Sequence, residues 1–258
     1  MRRILQYAAA ALVILLLWEC ISLILIAVRG RVILPTPVAT LSAAGRNLRE
    51  LAVAFGASAL RFLVSLVCTF ALGLPLGLVV GFEPRLYELL SPLVYLTYPI
   101  PPVALLVFLY LAFGVGEAVK VVVIAAALFF QVVVAAQGAA RNIPHSHIIS
   151  VRSAGASRWQ LYRHVVIPAT LPEVLTAARV SVGLGITMLY IVETKLGMIG
   201  GPGSGLGRLI EYYTFQPELS LAGVVGLSLL GLLFYLLLEL LERWLCRWKH
   251  LEGRRGAA

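Results

Sequence analysis

Six long apolar runs, separated by short polar segments, make up most of the chain. They are roughly Ile4–Ala27, Ala57–Gly81, Leu89–Phe113, Val119–Ala140, Pro172–Leu196 and Ser220–Glu242. A bilayer core takes about 20 apolar residues per helix, and each run reaches that length. Hydrocarbon offers no water to backbone N–H and C=O groups, so such runs are helices. The pattern predicts an all-α integral membrane protein with about six transmembrane helices. The first run follows Met1-Arg2-Arg3, like a signal peptide. Its apolar stretch is longer than a signal's, and no small-x-small site follows closely, so it reads as a retained helix. Glu19 interrupts it, a carboxylate costly at that depth unless it faces protein or is protonated.

Between the first two runs, Leu34-Pro35-Thr36-Pro37 favours extended backbone before a new helix. Residues 38–55 then look amphipathic. Leu41, Leu48, Leu51 and Phe55 fall on one side and Arg46, Arg49 and Glu50 on another, as in an interfacial helix. Residues 141–171 form the longest polar stretch between spans. Gly155 interrupts it, and Ser157 is placed to cap a short helix over Arg158–Val165. Pro168 and Pro172 are expected to stop that helix and start the next. On it Trp159, Tyr162 and Val166 share a face, flanked by Arg158 and Arg163. Aromatic and basic exposure of this kind suits docking to another protein. It equally suits a surface helix held by anionic lipid.

Composition narrows the function. The chain is 60% hydrophobic and 13% charged, against about half and about a quarter in soluble domains, which excludes a soluble globular enzyme. All 12 acidic residues are glutamate. Aspartate nucleophiles, aspartate-based Mg²⁺ sites and aspartate-rich calcium loops are therefore ruled out. The net charge is +9, and it is unevenly placed. With the N-terminus inside, the inner segments hold Arg2, Arg3, Arg85, Arg141, Arg152, Arg158, Arg163, Arg243, Arg247, Lys249, Arg254 and Arg255. The outer segments hold Arg29, Arg31, Arg46, Arg49 and Arg208. The excess predicts both termini in the cytoplasm, with the basic outer segment Arg29–Arg49 as the dissent, and points to topology rather than nucleic acid. Cys20, Cys68 and Cys246 lack metal-ligand spacing and read as packing residues. His145 and His147 have no cysteine or carboxylate beside them, so no metal site is expected.

Residues 141–171 resemble the coupling loop of permease subunits of bacterial ATP-binding-cassette importers. That loop reads E-A-A, three residues, Gly, nine residues, I-x-L-P. Gly155, inside Ala154-Gly155-Ala156-Ser157, takes the glycine position, and Val165-Val166-Ile167-Pro168 takes the last. Ile149-Ser150-Val151 stands in place of the acidic triplet, so the family's acidic contact is not carried over. Ser58-Ala59-Leu60-Arg61-Phe62 followed by Gly73, Gly77 and Gly81 resembles the first core helix of the nitrate/sulfonate/taurine-type subfamily. Ser91-Pro92-Leu93 with Tyr98-Pro99-Ile100-Pro101-Pro102 resembles its next helix. Phe113-Gly114-Val115-Gly116-Glu117 with Lys120 resembles its F-G-x-G-E-x-x-K turn. Ala178-Arg179 with Glu193, then Gly205-Leu206-Gly207, resemble the fifth helix and the motif after it. Departures are Ser91 in place of an acid, Pro102 in place of Lys or Arg, and no tryptophan near Thr187. The resemblance covers most of residues 1–248.

It implies a type I importer permease fold with a cytoplasmic coupling helix. An N-terminal helix and outer amphipathic segment would occupy residues 1–56, a permease core 57–248 and a cytoplasmic tail 249–258. It implies docking to an ATPase dimer through Ala154, Gly155, Ala156, Ser157, Trp159, Tyr162 and Pro168. It also implies a second permease copy, identical or not, and an extracytoplasmic solute-binding protein. The solute would be small: an organosulfonate, nitrate or a vitamin precursor. Tyr98, Pro99, Pro101, Pro102, Arg179 and Glu193 are the path and gate candidates. Each also has a plainer reading. The prolines could make a packing kink, Arg179 could snorkel, and Glu193 could sit among outer headgroups. Gly73, Gly77 and Gly81 have small-xxx-small spacing and read as helix packing.

The glycine-rich run Gly200–Gly207 lacks the lysine of a phosphate loop and does not open a helix after a strand, so it reads as an outer loop. No Walker loop occurs. The chain cannot hydrolyse ATP alone, so ATP and Mg²⁺ belong to a partner, and no cofactor or metal is expected on this chain. Lipid is the remaining partner. The alternative is an ATP-independent secondary transporter or channel that uses Glu19 and Glu193 as proton or ion groups. Inverted repeats would favour it, and no convincing pair is seen. A membrane enzyme needs convergent catalytic groups at one depth, whereas the histidines all lie outside the spans.

Overall fold

The computed structural model describes residues 2–114, 116–195 and 201–248. Val115, Leu196, Gly200 and the tail 249–258, all named above, lie outside the described residues. Those described are built from helices, with no strand among them. The order is α1 (Arg2–Arg29), α2 (Pro37–Arg46), α3 (Leu48–Phe82), α4 (Pro84–Thr97), a tight turn over Pro102–Leu105, α5 (Leu106–Phe113) and α6 (Glu117–Arg141). There follow α7 (His145–Ser153), α8 (Arg158–Leu161), a wide turn over Tyr162–Val166, α9 (Ile167–Lys195), α10 (Leu206–Tyr212) and α11 (Pro217–Leu245). Among the described residues five helices are long and apolar enough to cross a membrane. The count is six if α4 and the Pro102–Phe113 segment, bent by 79°, form one broken span.

Three expectations are corrected. Residues 38–55 do not form one amphipathic helix. Thr36 Oγ1 accepts from the Ala39 N–H to start α2, Pro37 supplies its first residue, and Asn47 ends it by donating from Nδ2 to the Ala43 carbonyl. The interruption re-phases the face, so Leu41 and Leu48 are exposed while Leu51 is buried. Second, Leu89–Phe113 is not one helix. Pro99, Pro101 and Pro102 remove three backbone donors in four residues, more than a helix survives, and α4 stops at Thr97. Third, Pro168 and Pro172 lie inside a continuous helical path. The Ile167 N–H reaches back five residues to the Tyr162 carbonyl. That widened turn makes room for the Pro168 ring, which would otherwise meet the carbonyl four residues earlier.

The chain divides into two compact units, Met1–Ala59 with Glu193–Leu229 and Leu60–Val192 with Leu230–Ala258. In the first, α1 is tied to the segment that follows it. Trp18 Nε1 donates to the Pro35 carbonyl at 2.9 Å and Ser22 Oγ to the Leu34 carbonyl at 2.7 Å. Leu12 to Leu17, Ile21, Leu23, Ile24 and Val28 of α1 are exposed, as apolar side chains that face lipid should be.

In the second unit α3 and α6 run parallel in fixed register. Arg61 meets Glu117, Ser65 Oγ donates to the Val121 carbonyl, and Thr69 Oγ1 donates to the Ala125 carbonyl, each with a sequence offset of 56. Gly73, Gly77 and Gly81 continue the stripe against Phe129, Val133 and Gln137. A methyl group at Gly77 would lie 2.6 Å from the Val133 carbonyl oxygen. Small residues thus bring the two backbones together, the packing role expected of them.

Candidate functional site

The polar segment after α6 contains two short helices joined at Gly155. The sequence pattern did not predict α7, which carries Ile149-Ser150-Val151. The Gly155 N–H bonds to the Arg152 carbonyl at 2.9 Å and the Ala156 N–H to that of Val151 at 3.4 Å. These two bonds close α7 with a reversed turn that needs a left-handed residue. Gly155 supplies it, with φ at +82°. A side chain there would meet nothing within 4 Å, so the requirement is conformational and not steric.

Ser157 then starts α8 by a reciprocal cap. Its Oγ accepts from the Gln160 N–H at 3.3 Å, and its own N–H donates to Gln160 Oε1 at 2.7 Å. The tip from Ala154 to Gln160 is largely solvent-exposed, and Trp159 at its end is 69% exposed. The shared face expected for Trp159, Tyr162 and Val166 is not present. Val166 is fully buried, and Tyr162 packs edge-on against Phe82 with ring centroids 5.1 Å apart. Regular helical spacing does not carry across the wide turn that begins at Tyr162. Pro168 is half-buried at the start of α9.

The break between α4 and α5 leaves Tyr98, Pro99, Ile100 and Pro101 at an open surface. The Gln131 side-chain amide donates to the Tyr98 hydroxyl at 3.2 Å, holding the break to α6. Pro102 opens the tight turn into α5. Nearby, Ser91 is buried and accepts from Gln137 Nε2 at 2.6 Å.

The two charged gate candidates, Arg179 and Glu193, are both partnered inside protein. Arg179 Nη2 lies 3.3 Å from Glu242 Oε2 on α11, and its guanidinium covers the Tyr235 ring at 5.4 Å. Glu193 is 1% exposed, not among headgroups. Its Oε1 accepts from Ser58 Oγ at 2.7 Å and its Oε2 from the Gly207 N–H at 2.7 Å. Ser58 Oγ in turn accepts from the Leu206 N–H at 2.8 Å. The run leads into α10 with no strand before it among the described residues, and Ser58 and Glu193 satisfy the first N–H groups of that helix, the groups that a helix start leaves unpaired. Gly205 makes this possible, with φ at +152° and its Cα directly under the carboxylate.

A further polar cluster joins two motif fragments. The buried Arg61 and Lys120 both pair with Glu117, at 2.6 and 2.9 Å. Sequence reasoning gave no role to Ser58, Glu83, Gln131 or Glu242. Their only signal is that polar residues recur in or beside apolar runs, where each must find a partner. No group of three metal-ligating side chains occurs among the described residues.

Residues 73–247 match the family described as binding-protein-dependent transport system inner membrane component. The chain belongs to this family. The permease is 30% identical over 194 residues to the taurine transport system permease protein TauC of Escherichia coli (strain K12), spanning 74% of this chain and 69% of that one. It is 28% identical over 247 residues to the putative aliphatic sulfonates transport permease protein SsuC of Bacillus subtilis (strain 168), spanning 92% and 85%. Its fold is that of a chain in the inward-facing MetNI methionine ABC transporter, with TM-score 0.63, 23% identity, and coverage of 78% of this chain and 98% of that one. The permease is thus a multi-pass transport subunit of an importer with the type I fold, and the ATP-independent alternative is not favoured.

Proposed function

We propose that two copies of this permease, or this permease and a related one, enclose a path for a small solute across the cytoplasmic (inner) membrane, with both termini inside. A separate ATPase dimer binds ATP and Mg²⁺ and receives the tip Ala154–Gln160. The observation that carries this reading is the tip itself, where a glycine-reversed turn and a reciprocally capped helix hold an exposed tryptophan away from the rest of its unit. Trp159 is the anchor, and Ala154, Gly155, Ala156, Ser157, Tyr162 and Pro168 hold its geometry. Tyr98, Pro99, Pro101 and Pro102 line the gate, while Arg179 ties α9 to α11 and Glu193 holds the start of α10. Residues 1–56 add an outer helix to the core 57–248, and 249–258 form a cytoplasmic tail. A binding protein outside delivers the solute, and the names of the two curated relatives favour an organosulfonate over nitrate or a vitamin precursor.

The test is co-purification followed by coupling. The solubilised complex should carry the ATPase. Gly155→Ala, which forces a left-handed alanine at a cost of about 1–2 kcal/mol, and Trp159→Ala should lower solute taken up per ATP hydrolysed. A permease that transports with no ATPase bound overturns the proposal. Calorimetry of taurine and other alkylsulfonates on the cognate binding protein tests the substrate class.

A further inference from the structure

Glu83 is the single non-helical residue between α3, which ends at Phe82, and α4, which begins at Pro84. Its place is that of a helix cap, yet its side chain makes no capping bond to α4. The carboxylate is spent elsewhere. Arg158 Nη2 donates to Oε2 at 3.1 Å, and the Tyr162 hydroxyl donates to Oε1 at 3.4 Å. The preceding Phe82 meets the same Tyr162 ring edge-on. Two successive residues of the α3–α4 joint are therefore clasped to the first residue of α8 and the first residue of the wide turn.

We propose that Glu83 is a positioning residue that carries movement of the ATPase-docking tip into α4 and so to the break at Tyr98–Pro101. This rests on the docking role proposed above. Fold stability does not account for the contact. Arg158 is 77% exposed in its side chain against 22% for Glu83, and an ion pair with one partner in solvent contributes little. The clasp has a mechanical use instead. The covalent route from the tip runs into α9 through the wide turn at Tyr162–Val166, the least regular stretch of that path. The Glu83 clasp branches off at its first residue, ahead of the rest of it. From Glu83, α4 runs 14 residues to Thr97, a rigid arm of about 21 Å at 1.5 Å per residue that ends where the prolines free the chain to pivot. An open cavity of about 780 Å³ beside the clasp, lined by Val79, Glu83, Arg85, Arg158 and Tyr162, leaves room for the arm to swing.

The experiment uses the complex purified with its own ATPase, with Cys20, Cys68 and Cys246 replaced by serine. Ile100→Cys at the break reports through its rate of labelling by a maleimide, with and without ATP and vanadate. We expect ATP to change that rate. Glu83→Gln should shrink the change by about fivefold or more, the lower end of usual coupling between sites, when compared at equal ATPase occupancy. Arg158→Ala, on an exposed side chain that folding does not require, should do the same. Glu83→Arg combined with Arg158→Glu should restore part of the change, which a merely structural role for Glu83 would not allow. Full ATP-dependent labelling in Glu83→Gln within an intact complex overturns the inference alone. Absence of any ATPase from the purified complex overturns the docking proposal and this inference with it.

Discussion

Replacing Gly205 by alanine should dismantle the junction of Ser58, Glu193 and the start of α10. Two costs combine. The backbone at φ +152° lies in a region open essentially to glycine, so any side chain there carries about 1–3 kcal/mol of strain. The new methyl group would also lie 2.5 Å from Glu193 Cδ and Oε1 and 2.7 Å from Oε2. The carboxylate must move, and it is enclosed and bonded at both oxygens. Losing even one of its hydrogen bonds costs about 1.5–3 kcal/mol for a charged group. The sum is roughly 2.5–6 kcal/mol. The assay is the melting midpoint of the solubilised complex. Gly183→Ala is the control, because a methyl there meets nothing within 4 Å and alanine suits a helix better than glycine. A double-mutant cycle separates the two costs. In a Glu193→Ala background the clash is gone, and Gly205→Ala should cost only the strain, about 1–3 kcal/mol. A Gly205→Ala protein that melts with the wild type, or a cost unchanged by Glu193→Ala, would refute the reasoning.

Gly81→Ala should destabilise the permease by about 1–3 kcal/mol, the usual cost of overpacking, because the added methyl falls on the Gln137 backbone carbonyl; Gly56→Ala, with open space around it, should not move the midpoint downward. Ser157→Ala removes the reciprocal cap and should cost about 1 kcal/mol locally. It should be seen as faster hydrogen exchange over 154–161 with the global midpoint unchanged. At Tyr213, burial first, then the bond to Glu50, push the phenol above its ordinary value of 10. Its contribution is then complete below pH 10 and lost as pH rises through the raised value. Tyr213→Phe should abolish that alkaline loss when midpoints are measured against pH.

Hydropathy made most of the spans legible, because burial in lipid demands long uniform runs. The proline cluster at 99–102 marked the break for a covalent reason visible in the residues themselves. The turn at Gly155 and the cap at Ser157 were legible for the same reason, since both act within five residues. The sequence did not disclose that Ser58, Glu193 and Gly205–Gly207 are one junction. Its directly bonded members lie as many as 148 positions apart, and each fragment has a plausible separate use. Pro168 misled because a proline reads as a stop, and only a neighbouring turn that widens lets the helix continue. The first helix of the docking segment, α7, escaped because its alternation of polar and apolar residues follows no clean period. Tyr162 looked exposed because its partners Phe82 and Glu83 belong to another helix pair.

Because every fourth residue of α3 from Arg61 to Gly81 faces its counterpart 56 positions on, the two helices cannot creep past one another. Any slip has to clear a whole four-residue notch, about 6 Å along the axis. One notch would bring Ser65 opposite Glu117 and strip Arg61 of its carboxylate. The pair therefore behaves as a bolt, seated or withdrawn, with no stable position in between. Gradual deformation during a transport cycle falls instead to the places where helical order is already interrupted, the prolines after Thr97 and the wide turn after Leu161.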